Sequence, residues 1–236
     1  MSDSLPGEPL LAAANLTKSY GNSTALAGVS LQVRPGEATA VMGASGSGKT
    51  TLLHCLAGIV LPDAGSVRYA GAASVEVTSL DDEARSALRR TEFGFVFQQG
   101  LLIPELTAGE NVALALMLNG TPRPASEHAA AAALAALGLA GMEGRRIGEL
   151  SGGQAQRVAI ARAQVNGARV LFADEPTGAL DSRTSADVMA LLLQSVAGTG
   201  RALVVVTHDP EVARWCGRVV TLADGRIVAD TAGVAR

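Results

Sequence analysis

Residues Gly43-Ala44-Ser45-Gly46-Ser47-Gly48-Lys49-Thr50 constrain the fold of this chain more than any other stretch. They fit the pattern G-x-x-x-x-G-K-[ST] in full. An apolar run at 38–42 precedes them and reads as a short buried strand. A stretch at 50–57 follows and reads as a helix stopped by Gly58. Between a strand and a helix, glycines let backbone N–H groups turn inward around phosphate oxygens, and the helix N-terminus adds partial positive charge. In such a loop Lys49 reaches the β- and γ-phosphates of a nucleotide and the Thr50 hydroxyl binds Mg2+.

The rest of the sequence alternates strand and helix patterns around that loop. Residues 10–41 read as short strands, with Leu26, Val29, Leu31 and Val33 spaced for one face and Arg34-Pro35-Gly36-Glu37 breaking the run as a turn. Runs at 64–69 and 74–77 read as further strands. From Gln98 to Asn166 the pattern becomes helical: 109–118, then 126–137 ending at Gly138, then 151–165 ending at Asn166-Gly167. Strands return at 170–173 and 202–207 with a helix at 185–196 between them. A hairpin, 219–222 and 226–229, closes the chain, turned at Asp224-Gly225. This order predicts an α/β fold: a core with parallel strands, an antiparallel β edge and an inserted helical lobe. The expected layout is a core and β subdomain at 10–97 and 168–231, with a helical subdomain at about 98–167. The first nine and last five residues read as loose.

Composition narrows the function. A net charge of −3 argues against a nucleic-acid binder, which usually carries a basic face. No apolar run reaches the roughly 18–20 residues needed to cross a bilayer, so direct membrane insertion is not expected. The start carries Asp3 and Glu8 and no basic residue, unlike a secretory signal. Cys55 and Cys216 lack paired spacing and read as reduced, buried thiols. Lysine occurs only at positions 18 and 49, and one of the two sits inside the glycine-rich loop.

Four further features gain meaning beside that loop. Val170-Leu171-Phe172-Ala173-Asp174-Glu175 is an apolar strand ending in two carboxylates. Asp174 suits the Mg2+ shell, and Glu175 suits a general base that orients an attacking water, because consecutive side chains at a strand end point different ways. Leu150-Ser151-Gly152-Gly153-Gln154 combines a capping box, Ser151 with Gln154, and two glycines in a first helical turn, where they are costly. A phosphate approaching that bare helix N-terminus explains the glycines; a well-capped helix start is the plainer reading. His208 ends the strand at 202–207, where ligands of α/β sheets are contacted; a capping or packing histidine is the plainer reading of it taken alone. Tyr20, one of two tyrosines, fits either stacking on a base or core packing, and Gln98, after the apolar stretch 93–97, reads by itself as a surface amide. His54 and His128 read as structural or exposed.

Taken together, these motifs closely resemble the ATP-binding subunit of an ABC transporter, from about residue 11 to residue 229. The resemblance implies the P-loop NTPase fold of ABC ATPases, with a RecA-like parallel-sheet core, an antiparallel β subdomain and an inserted helical subdomain. It identifies Gly43–Thr50 with the Walker A loop, so that Gly43, Ser45, Gly46, Gly48, Lys49, Thr50 and Thr51 would hold ATP. Asp174 and Glu175 match the Walker B strand, with Thr50, Gln98 and Asp174 toward Mg2+. Leu150–Gln154 matches the family signature, so that Ser151, Gly152, Gly153 and Gln154 would face a nucleotide held by a second chain. Tyr20 falls on the adenine-stacking position and Gln98 on the glutamine loop. Asp181 falls on the loop between subunits and His208 on the switch histidine.

Within the superfamily, Ala173–Ser182, Gly94–Gln99 and Leu106–Val112 resemble the lipoprotein-release, macrolide-export and antimicrobial-peptide-resistance branch, whose ATPases pair with FtsX-like permeases. Ala155 and Gly100 depart from that pattern outside the catalytic set. The resemblance implies an ATPase of Glu175, His208, Lys49 and Gln98. It implies a head-to-tail dimer with ATP between its two chains, an integral membrane permease as partner, and a place on the cytoplasmic face of the cell membrane, driving export, lipoprotein release or mechanotransmission; a regulatory ATPase acting through a membrane partner on a cell-wall enzyme and the ATPase of a small-molecule importer are the alternatives.

Overall fold

The structure, a computed structural model, describes residues 8–71, 73–98 and 100–233. The expected loose ends fall largely outside these residues, at 1–7 and 234–236, as does Gln99 of the 94–99 motif.

The strands of the described residues form two sheets. The first is antiparallel: β1 (Leu11–Tyr20), β2 (Ser23–Val33), β4 (Ala64–Ala70) and β5 (Ser74–Glu76), in the order β2-β1-β4-β5. The second contains β3 (Ala38–Met42), β6 (Phe93–Phe97), β7 (Val170–Asp174), β8 (Ala202–Thr207), β9 (Arg218–Ala223) and β10 (Arg226–Asp230). Its order is β10-β9-β3-β8-β7-β6, all parallel except the β9/β10 hairpin. The hairpin turns at Asp224 (φ 48°) and Gly225 (φ 69°), the two positive φ values that an Asp-Gly turn supplies. A Cβ on Gly225 would lie 2.8 Å from the Ala25 carbonyl oxygen, so glycine is also needed for the approach of β2.

Side chains of the parallel strands alternate between two cores, as the period of two requires. Phe172, Val204 and Val206 face one cluster with Leu11, Leu16 and Leu52, under the antiparallel sheet and α1 (Lys49–Leu56). Leu171, Leu203 and Val205 face the other, with Met189 and Leu192 of α6 (Ser182–Val196) and Val212 of α7 (Pro210–Trp215). A third cluster joins Val112 of α3 (Ala108–Met117), Leu134 of α4 (Arg123–Ala136) and Val158 of α5 (Gly152–Gln164). Helix α5 belongs to two clusters at once, because Ile160 packs under the sheet while Val158 and Ala161 pack on α3 and α4. Both cysteines are buried and free, and burial pushes the thiols up, to about 11 at Cys55 and about 12 at Cys216.

Several expected boundaries move by a turn or less. Caps explain the shifts: Thr107 forms a capping box with Glu110 and starts α3 early, and Asp181 caps α6 three residues before the apolar period begins. The strand expected at 74–77 stops at Glu76, where a short 3-10 turn, Val77–Ser79, takes over. Two helices were not expected. Helix α2 (Asp82–Glu92) is dominated by charged residues, burying Arg85 and resting the half-buried Leu88 on the core; its signals are the Asp81 cap, acids in the first turn and arginines in the last. Helix α7 has six residues, too few for a period to register. The apolar stretch 93–97 is the edge strand β6 of the parallel sheet.

Arg218 fastens the sheet edge to β2. Nine-tenths buried, it donates to the Gln32 carbonyl at 2.6 Å and to Glu37 at 2.8 Å, and forks onto Asp230 at 2.8 and 2.6 Å. Hydrogen bonding to Arg218 holds the Asp230 carboxyl below its ordinary value against the opposing effect of burial. We predict that Arg218→Met lowers unfolding stability by about 3 kcal/mol at neutral pH, because two carboxylates lose their partner. The Asp230 share of that stability exists above the unfolded carboxylate pKa of about 3.9 and disappears as pH falls through its lowered folded value. Denaturant titrations should therefore show the gap between wild type and variant narrowing below about pH 4; a gap of constant size into stronger acid contradicts the assignment.

Candidate functional site

The glycine-rich loop is shaped by close backbone approaches. Gly43 (φ 155°) has no room for a side chain: a Cβ would sit 2.2 Å from the Leu222 carbonyl oxygen. At Gly48 (φ 102°) a Cβ would sit 2.1 Å from the Ala25 carbonyl oxygen. Gly48 is also the N-cap of α1 and offers no side-chain acceptor, so the first-turn N–H groups of α1 remain available to a ligand. Lys49 is nine-tenths buried, and its ammonium donates to the carbonyls of Gly43 and Ala44, both at 2.9 Å.

The opposite wall comes from the carboxyl ends of β6, β7 and β8. An open cavity of about 660 Å³ separates it from the loop. Ala44, Ser45, Gly46 and Gly48 through Thr51 line one side; Gln98, Asp174, Glu175 and His208 line the other. The Thr50 hydroxyl lies 3.5 Å from Asp174 Oδ1. Burial raises the Asp174 pKa, and the Thr50 hydrogen bond opposes the rise. The side chain of Gln98 rests over Gly178, where a Cβ would lie 2.8 Å from its amide nitrogen.

Glu175 is held in a left-handed conformation (φ 47°), unusual for any residue but glycine. Its amide donates to the Val206 carbonyl at 2.9 Å, and its carbonyl accepts from Gly178 at 3.1 Å. Its carboxylate accepts from the Thr207 hydroxyl at 3.1 Å and the His208 amide at 3.0 Å, and lies 2.7 Å from His208 Nδ1. Two donors and the adjoining His208 ring thus aim one carboxylate at the cavity. Thr207 was not singled out in the sequence. It is a buried hydroxyl one residue before His208, and its position at a strand end was the available signal.

Not every candidate converges here. Tyr20 is half exposed at the end of β1, outside the residues lining the cavity, with the Lys18 ammonium 5.7 Å from its ring centre. Asp181 spends its carboxylate on its own helix: it accepts from the amides of Arg183 and Thr184 and from the Thr184 hydroxyl, and these bonds hold its pKa down. Ser151 through Gln154 also lie outside the cavity lining. Ser151 and Gln154 form the expected capping box, at 2.9 and 3.3 Å. The glycines beside them have separate explanations. A Cβ on Gly153 would meet Thr184 Cγ2 at 2.4 Å, so packing of α5 against α6 demands glycine there without any phosphate. Gly152 has its nearest neighbour, Leu180, at an ordinary 3.4 Å, and the open-backbone argument rests on it.

Comparison with known proteins agrees with this geometry. The family model described as "ABC transporter" matches residues 26–178. The pyoverdine export ATP-binding/permease protein PvdT of Pseudomonas entomophila is 47% identical over 230 residues, covering 95% of this chain and 34% of that protein. The macrolide export ATP-binding/permease protein MacB of Nitrosomonas europaea is 44% identical over 236 residues, covering 98% of this chain and 35% of that protein. The chain spans about a third of the length of these curated relatives. Among solved structures, a dimeric post-hydrolysis state of the ATP-binding cassette MJ0796 bound to ADP and Pi superposes with a TM-score of 0.84. Identity is 38%, over 93% of this chain and 97% of that one.

The Gly153 contact is testable apart from any ligand. Gly153→Ala gains about 1 kcal/mol of helix propensity but forces a branched side chain to move, which costs about 1–3 kcal/mol. We expect a net loss of about 1 kcal/mol in unfolding stability. The double variant Gly153→Ala/Thr184→Ser, which keeps the hydroxyl and removes the methyl, should recover it. A Gly153→Ala variant more stable than wild type rules out the packing account.

Proposed function

The chain belongs to the ABC transporter family, and on that premise we propose that it is the ATP-binding and ATP-hydrolysing unit of an export system. Two copies work head to tail beneath an integral membrane permease of the FtsX-like kind, on the cytoplasmic face of the cell membrane. One observation carries the reading: Lys49, Asp174, Glu175 and His208 converge on a single cavity, while Ser151–Gln154 stands outside it. A second copy supplies that segment. The export names of PvdT and MacB and the dimeric, ADP- and Pi-bound state of MJ0796 support the same reading. Among the described residues no helix is long and apolar enough to cross a membrane.

The chemistry follows from the walls of the cavity. ATP phosphates occupy the loop, where the α1 N-terminus and the Gly46 and Gly48 amides face them. Lys49 exchanges the carbonyls of Gly43 and Ala44 for β- and γ-phosphate oxygens, so its positive charge is already in place when the nucleotide arrives. Thr50 and Asp174 fit Mg2+: a hydroxyl and a desolvated carboxyl 3.5 Å apart, with Gln98 beside them. Mg2+ supplies neutralisation of developing phosphate charge. Glu175 orients the attacking water as general base, and the Thr207 hydroxyl and the His208 amide, which donate to its carboxylate, fix its direction. His208 stands on the same wall, close to where charge develops on the transferring phosphoryl group. Tyr20 stacks on the adenine, and Asp181 sits at the boundary between the two copies. When ATP is bound, its γ-phosphate also contacts Ser151 and Gly152 of the other copy, so binding favours the closed pair and hydrolysis releases it.

Two variants test this. Glu175→Gln should lower hydrolysis at least about 100-fold and accumulate a dimer on gel filtration with Mg-ATP; a monomer that hydrolyses normally excludes Glu175 as the base. Ser151→Arg should abolish hydrolysis while the isolated chain still binds ATP, because Ser151 acts on the other copy's nucleotide; lost binding in the monomer contradicts that arrangement.

A further inference from the structure

Gln156 is a polar side chain in the wrong place. It lies on α5, four and seven residues before the buried Ile160 and Ala163, on a face that the helical period assigns to the core, and it is 4% exposed. A buried amide persists where its hydrogen bonds are satisfied. Its NH2 group makes two: to the carbonyl of Phe97 at 3.1 Å and to the carbonyl of Pro176 at 2.8 Å. Both partners accept only, so the amide orientation is fixed. One partner immediately precedes Gln98. The other immediately follows Glu175, inside the turn that keeps Glu175 left-handed. Arg162, further along the same helix, donates to the carbonyls of Gly100 at 2.7 Å and Leu101 at 2.8 Å, beyond Gln98. Helix α5 therefore grips the Gln98 connection on both sides and the Glu175 turn on one.

We infer that Gln156 is a positioning residue that makes α5, Gln98 and Glu175 move as one body. Resting on the dimer reading, this means that when Ser151 at the head of α5 meets the nucleotide of the second copy, the displacement reaches Gln98 and Glu175 of its own chain. Each copy's catalytic carboxylate is thereby aligned by that copy's engagement of its neighbour.

The test is Gln156→Met in the full chain, which keeps length and apolar packing and removes both donors. Hydrogen–deuterium exchange without nucleotide reads the grip itself. We expect faster exchange in the variant both in the peptide containing residues 97–101 and in the one containing 175–178, with α4 unchanged. With Mg-ATP we expect kcat to fall about ten-fold or more with KM changed less than about two-fold, and the dependence of rate on ATP to lose cooperativity. Faster exchange in neither or only one of the two peptides overturns the inference, as does unaltered kcat. A drop in thermal midpoint with faster exchange everywhere, α4 included, also overturns it, because the residue is then structural only. If wild type shows no ATP hydrolysis, the proposed function fails, while the exchange measurement still decides the grip.

Discussion

The site depends on one constraint, the parallel register of β6, β7, β8 and β3. Phe97 stands opposite Asp174, Asp174 opposite Val206, and Met42 opposite Thr207. These pairings bring four strand ends to one edge, so Gln98 and Glu175 leave their strands level with Thr207 and Met42, one residue before His208 and Gly43 begin their loops. Because side chains alternate along a strand, a slip of a single residue would turn Asp174 into the core and break the facing pair of apolar clusters as well. The same hydrogen bonds that build the sheet therefore fix the distance between the phosphate loop and the carboxylates. The antiparallel sheet adds to this from outside: the Ala25 carbonyl defines how close Gly48 and Gly225 must come.

Helix α5 is the second organising element. It is shared between the core under the sheet and the cluster with α3 and α4, so neither packs without it. Its polar residues divide by position. Those at its start cap the helix, Gln156 in its middle holds two backbone carbonyls, and Arg162 near its end holds two more. A helix attached this way transmits displacement along its length rather than absorbing it by bending, because the attachments lie on one rigid element.

Much of this was legible in the sequence, and the exceptions share a cause. The loop at 43–50, the acid pair after 170–173 and the histidine after 202–207 announce themselves, because each is a chemical pattern at a strand end. The alternation of strand and helix follows from apolar periodicity. Helix α2 escaped because its inward face is thin, a buried Arg85 and a half-buried Leu88 among charged residues. Thr207 and Gln156 escaped because their role lies in what their hydrogen atoms meet, and partners 32 and 20 residues away in Glu175 and Pro176 carry no local mark. Gly153 is the instructive case. The sequence argument asked why a helix would tolerate a glycine in its first turn and found a ligand; the fold shows a methyl group of Thr184 in the way. Tertiary packing gives glycine a role at position 153 that a single sequence does not display, beside the proposed approach of a phosphate.

That same contact limits how the segment can change over generations. A side chain at position 153 meets the Thr184 methyl of α6 as well as whatever approaches the head of α5, so a first substitution there carries a folding cost of its own. Trimming position 184 first removes that cost. The order of mutations is therefore built into the packing, and variation at the head of α5 has its open route through position 152.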